Sequence, residues 1–380
     1  MAVTRSRFLG TVAAGTAGAA IGLPLRALAA PEVELRQVVS RPYDFETPLQ
    51  YMRTYLTPTD ALFIRSHFGP PGDWPPAGWS LKVGGEVDNA MTLSLEAIRA
   101  LPSHTVTMVL QCAGNGRSFY RPRPAGGQWT WGAVGNARWT GVRLKDVLDR
   151  AKMRATAQHV GSVPTDHGPL KTPPFNRSIP LAKAIDDDTI LAYELNGQPI
   201  SVEHGGPLRL IVPGWAGDNS VKWLTSISAQ IDETHGFYMD TAYRYPNQLG
   251  EPGVPIPASQ THHVMEMPVK SMITNPLDGQ TLKAGVNTMQ GVAFSGYGRI
   301  KRVEVSADGG QTWSMALLGI DNEKWGWRLW TAAVTLAAGP AKLMARAFDG
   351  AGNAQPASQQ WNPSGYYWNV YHAVNVEARG

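Results

Sequence analysis

The chain has a single cysteine, and the residues around it have the types and spacing to do chemistry. It sits in Val109-Leu110-Gln111-Cys112-Ala113-Gly114-Asn115-Gly116-Arg117. A lone thiol forms no internal disulfide and shares no zinc site with other thiols. As a thiolate it is a soft donor, suited to a soft or high-valent metal whose remaining donors belong to a cofactor. Gly114 and Gly116 let backbone come close to such a ligand, and Arg117 adds a cation five residues on. The competing reading is a small buried hydrophobe, the common state of an unpaired cysteine.

Further clusters carry charge or a phenol. In Phe63-Ile64-Arg65-Ser66-His67-Phe68-Gly69-Pro70 the arginine and histidine are two apart. On an extended segment they point to one side, where a guanidinium and an imidazole suit an anion or a phosphate. The plain alternative is a surface arginine beside a hydrogen-bonded histidine. His204-Gly205-Gly206-Pro207-Leu208-Arg209-Leu210-Ile211-Val212-Pro213-Gly214 brackets a buried strand, and Ser220-Val221-Lys222-Trp223 follows a loop. His204, Arg209 and Lys222 are three potential cations around one strand, enough to hold a phosphate. Tyr243 lies in Tyr238-Met239-Asp240-Thr241-Ala242-Tyr243-Arg244-Tyr245-Pro246, a loop in which a tyrosine is ordinarily just surface. Glycines from Gly132 to Val142, after Trp129, allow tight loops against a cofactor or serve as ordinary turns. Neither G-x-x-x-x-G-K nor G-x-G-x-x-G occurs, which weakens ATP and dinucleotide readings. His262-His263 lacks a third ligand at a recognised spacing. There is no C-x-x-C-H for a c-type haem.

These clusters need a scaffold of strands and loops. Ser80 to Val83, Val106 to Leu110 and Leu208 to Val212 read as strands. Leu144, Val147, Leu148 and Ala151 share one face of a helix, and Leu181 to Ile185 reads as a second, shorter one. Strands and helices interleave irregularly, which predicts an α+β domain rather than a regular βαβ array. Pro31 to about Thr57 is polar and aromatic and reads as an extended arm. A Pro- and Gly-rich loop from Pro246 to Pro257 marks a change of texture. Beyond it, from about Met267 to Val376, runs such as Arg302-Val303-Glu304-Val305-Ser306 alternate between Asp-Gly turns at Asp278-Gly279, Asp308-Gly309 and Asp349-Gly350. That spacing predicts an immunoglobulin-like β-sandwich. The boundaries are residues 1–29 for an export signal, 30–57 for the arm, 58–257 for the first domain and 258–380 for the sandwich.

At 380 residues and 43% hydrophobic, the chain can build full cores in two domains. Its net charge of +4 is mild and scattered, with no basic run for nucleic acid. Arg5 and Arg7, the apolar stretch Phe8 to Leu25 and Ala27-Leu28-Ala29 together read as an export signal. Glycines and Pro24 interrupt that stretch, which argues against a permanent membrane span. Thr4-Arg5-Ser6-Arg7-Phe8-Leu9 resembles a twin-arginine signal with a serine between the arginines.

Taken in order, the clusters resemble the sulfite oxidase family of molybdopterin enzymes, in particular its exported bacterial sulfite dehydrogenases. The resemblance rests on Gln111 to Asn115, Gly132 to Val142, Ala192-Tyr193-Glu194-Leu195-Asn196-Gly197, His204 to Gly214 and Val221-Lys222-Trp223. It continues in Trp325-Gly326-Trp327-Arg328-Leu329-Trp330, Asp349 to Pro356 and Trp361-Asn362-Pro363. It implies a mixed α+β molybdopterin-binding domain followed by an immunoglobulin-like dimerisation domain. Cys112 would be the thiolate ligand of molybdenum. Arg65 and Arg117 would line the anion pocket, Trp129 would wall it, and Tyr243 would be the active-site tyrosine. His67, Asp166, His204, Arg209 and Lys222 would hold the pterin and its phosphate.

The activity so implied is oxidation of sulfite to sulfate by oxygen-atom transfer. The chain would carry no haem of its own, so electrons would leave singly to an external carrier, a c-type cytochrome. A periplasmic homodimer is the expected form. Family members from animals carry a haem domain first, and an arginine soon after the Trp-Asn pair; here Pro363-Ser364-Gly365 occupies that stretch. Gly116 also stands in for an arginine common in the animal members. Two rival readings remain at this stage: the same cofactor acting on a sulfoxide or sulfane, and a non-catalytic exported binding protein.

Overall fold

Short alternating runs broken by Gly and Pro favour strands over long helices, and the computed structural model of the chain follows that pattern. It describes residues 33–166, 168 and 172–380. The predicted export signal, residues 1–29, lies outside them. Among the described residues the longest α-helix is Leu144–Arg150, and no helix is long and apolar enough to cross a membrane. Its predicted face is real: Leu144, Val147, Leu148 and Ala151 are all fully buried. The second predicted helix is the single turn Leu181–Ala184.

Two five-stranded sheets build the part that carries the chemistry. In the first, Gln198–Pro199, Ile190–Leu195, Val134–Arg143 and Ser103–Gln111 lie side by side, and Arg209–Ile211 also pairs with Ile190–Leu195. All these pairs are antiparallel. The cysteine strand is buried from Val106 to Gln111. Its register sets Gln111 opposite Val134, and the Cys112 N–H continues the ladder by donating to the Ala133 carbonyl at 2.9 Å. The thiol therefore stands where a buried strand gives way to a loop, a position that combines a rigid base with access to a ligand. In the second sheet the order is Met91–Ser94, Ser80–Gly85, Leu224–Gln230, His159–Pro164 and Arg177–Pro180. Only Ser80–Gly85 and Leu224–Gln230 run parallel there.

The segment expected to be an extended arm is part of the fold. Arg36–Ser40 and Tyr43–Glu46 form a hairpin, Phe45 exchanges backbone hydrogen bonds with Ile64 at 2.9 Å, and Met52 is fully buried. The polar alternation that suggests an arm comes from Asp44 and Glu46, which point inward to partners. Asp44 meets Arg65 and the Ser66 N–H; Glu46 meets Arg36 and the Thr130 N–H.

Beyond the Pro/Gly-rich loop the predicted sandwich appears. A four-stranded sheet of Lys270–Asn275, Gly285–Phe294, Arg328–Leu336 and Leu317–Leu318 faces a five-stranded one. The latter orders Thr281–Lys283, His372–Arg379, Gly339–Asp349, Ile300–Ser306 and Ser314–Met315. Ile273, Met289, Val303, Trp330, Leu343 and Val374 fill the space between them. Of the expected Asp-Gly turns, Asp308-Gly309 closes the hairpin of Ile300–Ser306 and Ser314–Met315: the Asp308 carboxylate accepts from the Gln311 and Thr312 N–H groups, and Gly309 takes φ +73°. Residues 34–380 nonetheless pack as one unit. Trp325 of the second half bridges to Met108 and accepts the Val109 N–H at 2.9 Å.

Candidate active site

Cys112 opens onto a cleft with about 640 Å³ of empty space, its solvent-open mouth included. Of the residues singled out from the sequence, Arg65, His67, Asp166, Arg209, Lys222 and Tyr243 line it with Cys112. They arrive from separate elements. Arg65 and His67 follow the Phe45–Ile64 bridge, Arg209 begins a buried strand, and Lys222 precedes Leu224–Gln230. Tyr243 closes the turn after Phe237–Thr241 with φ +55°, a left-handed conformation that a non-glycine residue keeps only where its surroundings hold it.

The lining sets the cations Arg65, Arg209 and Lys222 against the carboxyls of Asp166 and Asp218. Burial drives the Lys222 ammonium well below its usual range; Arg209 adds to the shift and Asp44 opposes it. Its hydrogen bond goes to the Glu203 carbonyl at 2.6 Å. Burial lowers the Arg209 guanidinium to about 9. Its Nε and Nη1 donate to the Ser220 and His204 carbonyls at 3.1 and 2.9 Å. Arg65 has Asp44 at 3.7 Å. Buried cations in this condition are costly unless an anion joins them. Burial also pushes the Cys112 thiol up, and Arg65 and then Arg117 pull it back.

His67 and Tyr243 form one unit. The phenol oxygen lies 2.8 Å from His67 Nε2, and the imidazole stacks on Phe175 with 4.2 Å between centroids. Burial, then Arg65, Arg177 and Lys222, hold His67 well below its usual range, so it is neutral. Burial raises the Tyr243 phenol well above its ordinary value, so it keeps its proton.

Three predicted residues stand one layer back from the cavity wall, and their expected roles change accordingly. His204 is buried with both ring nitrogens engaged, by Ser201 Oγ at 3.0 Å and the Leu62 carbonyl at 3.3 Å. Burial and Lys222 lower its pKa to about 4, so it is a neutral residue whose carbonyl steers Arg209. Trp129 is buried behind Phe63, edge to face at 6.4 Å, and Phe63 is the ring that lines the cavity. Arg117 lies beneath Gly114, where its Nε and Nη1 donate to the Ser364 and Gly127 carbonyls at 2.8 and 3.1 Å. It reaches Cys112 through its charge. Sequence reasoning missed Phe175 and Asp218 on the wall and Arg177 behind it. No periodicity or motif marks them; only the fold brings them together.

Comparison with known proteins bears on what this cavity holds. A family model for the oxidoreductase molybdopterin binding domain matches residues 67–238. One for the Mo-co oxidoreductase dimerisation domain matches residues 261–379. The sulfite oxidase of Arabidopsis thaliana is 33% identical over 368 residues, which cover 90% of this chain and 93% of that protein. The chain belongs to the sulfite oxidase family of molybdopterin oxidoreductases. The mitochondrial sulfite oxidase of Homo sapiens is 36% identical over 353 residues, 88% of this chain but 64% of that protein's length. The sulfane dehydrogenase SoxCD from Paracoccus pantotrophus shares the fold, with a TM-score of 0.81 over 95% of this chain and 96% of that one at 24% identity.

The residues present fit the family's molybdenum–molybdopterin cofactor. Among the described residues no three His, Cys, Asp or Glu side chains gather to hold a metal ion. A metal held at Cys112 would therefore take its other donors from a non-protein group, which a pterin cofactor would supply. Lys222 and Arg209, whose hydrogen bonds go to backbone carbonyls, suit that group's phosphate.

Proposed function

We propose that the protein oxidises sulfite to sulfate at a molybdenum–molybdopterin centre and passes the electrons singly to an external c-type cytochrome. The carrying observation is that one soft thiol shares its cavity with Arg65, His67, Tyr243, Arg209 and Lys222. Cys112 would bind the molybdenum. His67, Asp166, Arg209 and Lys222 would hold the pterin and its phosphate, with His204 fixing Arg209. When bound, the cofactor supplies oxygen-atom transfer to sulfur and takes up two electrons.

The chain's own residues do the rest. Arg65 is a charged donor that binds and orients a dianion in an enclosed site. Arg117 adds its field from behind the Cys112 loop. Tyr243 offers a protonated phenol, and His67 Nε2–H can donate to the phenol oxygen, which leaves the phenol proton for the substrate or the cofactor's oxygen.

A second reading, a sulfane or sulfoxide as substrate, draws on one observation. Ser364 turns its backbone carbonyl, not a cation, toward Arg117, where the resemblance leads one to expect an arginine nearby. A less positive pocket suits a less charged sulfur compound. Metal analysis of the purified protein followed by sulfite-dependent cytochrome c reduction tests the proposal, with sulfoxide and sulfane assayed in parallel. Absence of stoichiometric molybdenum would sink both enzyme readings and leave the binding-protein reading.

Export to the periplasm and a homodimer belong to the same proposal. The first is supported by Arg5, Arg7 and Ala27-Leu28-Ala29, the second by the dimerisation-domain match. N-terminal sequencing of the mature protein checks the former, and sedimentation the latter.

A further inference from the structure

Tyr243 is held on more sides than a loop tyrosine requires. Its ring lies parallel to that of Tyr366, with 5.6 Å between centroids and 4° between planes. A guanidinium stands over each ring of the pair. Arg177 is 5.3 Å from the Tyr243 centroid, and Arg117 is 5.4 Å from that of Tyr366. Cations are drawn to the electron-rich faces of aromatic rings, and offset parallel rings attract each other. The order Arg177, Tyr243, Tyr366, Arg117 is thus a cohesive stack.

Arg177 comes from the edge strand Arg177–Pro180 and is 1% exposed. Its Nη1 donates to the Tyr238 carbonyl. Its Nη2 donates to Asp218 Oδ2 at 2.9 Å and Asn219 Oδ1 at 3.0 Å. Asp218 lines the cavity, and burial raises its carboxyl to about 7 despite Arg177. Arg177 Nε and Asp218 Oδ1 are buried without partners. Taking two charges out of water is expensive, and well-packed apolar residues would stabilise this spot as well or better. Such a pair against the wall of a catalytic cavity therefore calls for a role beyond packing.

We infer that Arg177 is a positioning residue for Tyr243: held by Asp218, Asn219 and the Tyr238 carbonyl, it clamps the ring against Tyr366 and so fixes the phenol oxygen at His67. This rests on the reading of Tyr243 as the phenol that meets the substrate. The clamp explains how a non-glycine residue at φ +55° keeps one orientation. Arg177 also helps keep His67 neutral, after burial and Arg65, which preserves the hydrogen bond to the phenol.

The test places 3-fluorotyrosine at position 243 and records ¹⁹F NMR spectra of the holoenzyme, alongside kcat, KM and molybdenum content. The parent should give one narrow resonance. Arg177→Met should broaden or split it and lower kcat by roughly tenfold, with KM within about twofold and molybdenum retained. Arg177→Lys keeps the charge but loses the forked contacts, and should recover little. If Arg177→Met does not fold, Arg177→Met with Asp218→Asn removes the stranded carboxylate and carries the same expectation. A parent-like resonance, or parent-like kcat, in either folded variant overturns the clamp. The resonance reads the ring whatever the substrate is. A protein inactive on sulfite whose ¹⁹F signal still changes on Arg177→Met would therefore uphold the clamp and overturn the substrate assignment.

Discussion

At Cys112 the surroundings oppose one another: burial disfavours the thiolate, while Arg65 and Arg117 favour it. A bound metal ion settles that contest by replacing the proton. A serine hydroxyl is a harder and much less acidic donor. Cys112→Ser should therefore fold, shown by an unchanged far-UV spectrum, yet lose turnover; near-full turnover with molybdenum bound would remove Cys112 as the ligand. Tyr243 and Tyr245 make a sharper comparison, since they flank Arg244 in a nearly symmetric sequence. Tyr243 lines the cavity and meets His67, whereas Tyr245 packs on His262 and Tyr367, at 5.8 and 5.1 Å. Tyr243→Phe should keep full molybdenum content and lower kcat/KM by roughly tenfold or more, the order of one lost hydrogen bond to a charged group. Tyr245→Phe should change it little. Steady-state kinetics on both would expose a misplaced phenol if Tyr245→Phe had the larger effect.

Among the elements, the loop from Cys112 to Phe119 depends on close contact with a charged side chain. A Cβ built on Gly114 would come within 2.6 to 2.9 Å of the Arg117 guanidinium. That guanidinium cannot swing aside without giving up its bonds to the Ser364 and Gly127 carbonyls. Gly114→Ala should leave molybdenum content unchanged and raise KM for sulfite several-fold, through a displaced Arg117 rather than a lost ligand. A KM equal to the parent's would show that Arg117 does not act on substrate. The importance of this loop was legible in the sequence, because a lone cysteine between buried strand and glycines is a local signal. So were the strands around it, the face of Leu144–Arg150 and the Asp-Gly turns of the sandwich, all set by alternation or turn chemistry. Depth was not legible. The order of motifs along the chain says that Arg117, Trp129 and His204 belong near the site, but not that Gly114, Phe63 and Arg209 stand between them and the cavity. Nor does any pattern announce that Arg177 and Asp218 meet. Their pairing needs Arg177–Pro180 docked on His159–Pro164 and the turn Gly217–Asn219, which is tertiary packing overriding local preference. The hairpin Arg36–Glu46 was hidden for the opposite reason: its inward-facing carboxylates look like solvated surface.

On the scale of the whole molecule, the cofactor loop is finished by the C-terminal half. Tyr367 donates its N–H to the Ala113 carbonyl at 3.0 Å, Ser364 accepts from Arg117, and Lys270, in the first strand of the sandwich, reaches Gln111. The last contact makes a prediction about pH. Lys270 is 1% exposed. Its ammonium lies 3.4 Å from Gln111 Oε1 and 5.2 Å from the Trp131 ring, with buried His372 tilted against that ring at 4.2 Å between centroids. Burial alone lowers its pKa from 10.5 to about 7. Between those values the unfolded chain binds more protons here than the folded one, so the term from this residue makes stability rise with pH. Below the folded value the whole penalty of burying the charge is present; toward the unfolded value it fades. Lys270→Met keeps the stem's packing and removes the titrating group. The variant's stability relative to the parent, read from urea midpoints with unchanged slope, should be most favourable at about pH 6.5 and decline as pH is raised to about 9.5, the range over which the parent sheds its penalty. His372, held down to about 3 by burial and by Lys270, should titrate higher in the variant but stay neutral across this range. A relative stability that instead stayed flat over this range would mean that the folded protein holds Lys270 charged and compensated. The junction between the two halves would then be an electrostatic link, not a desolvated one.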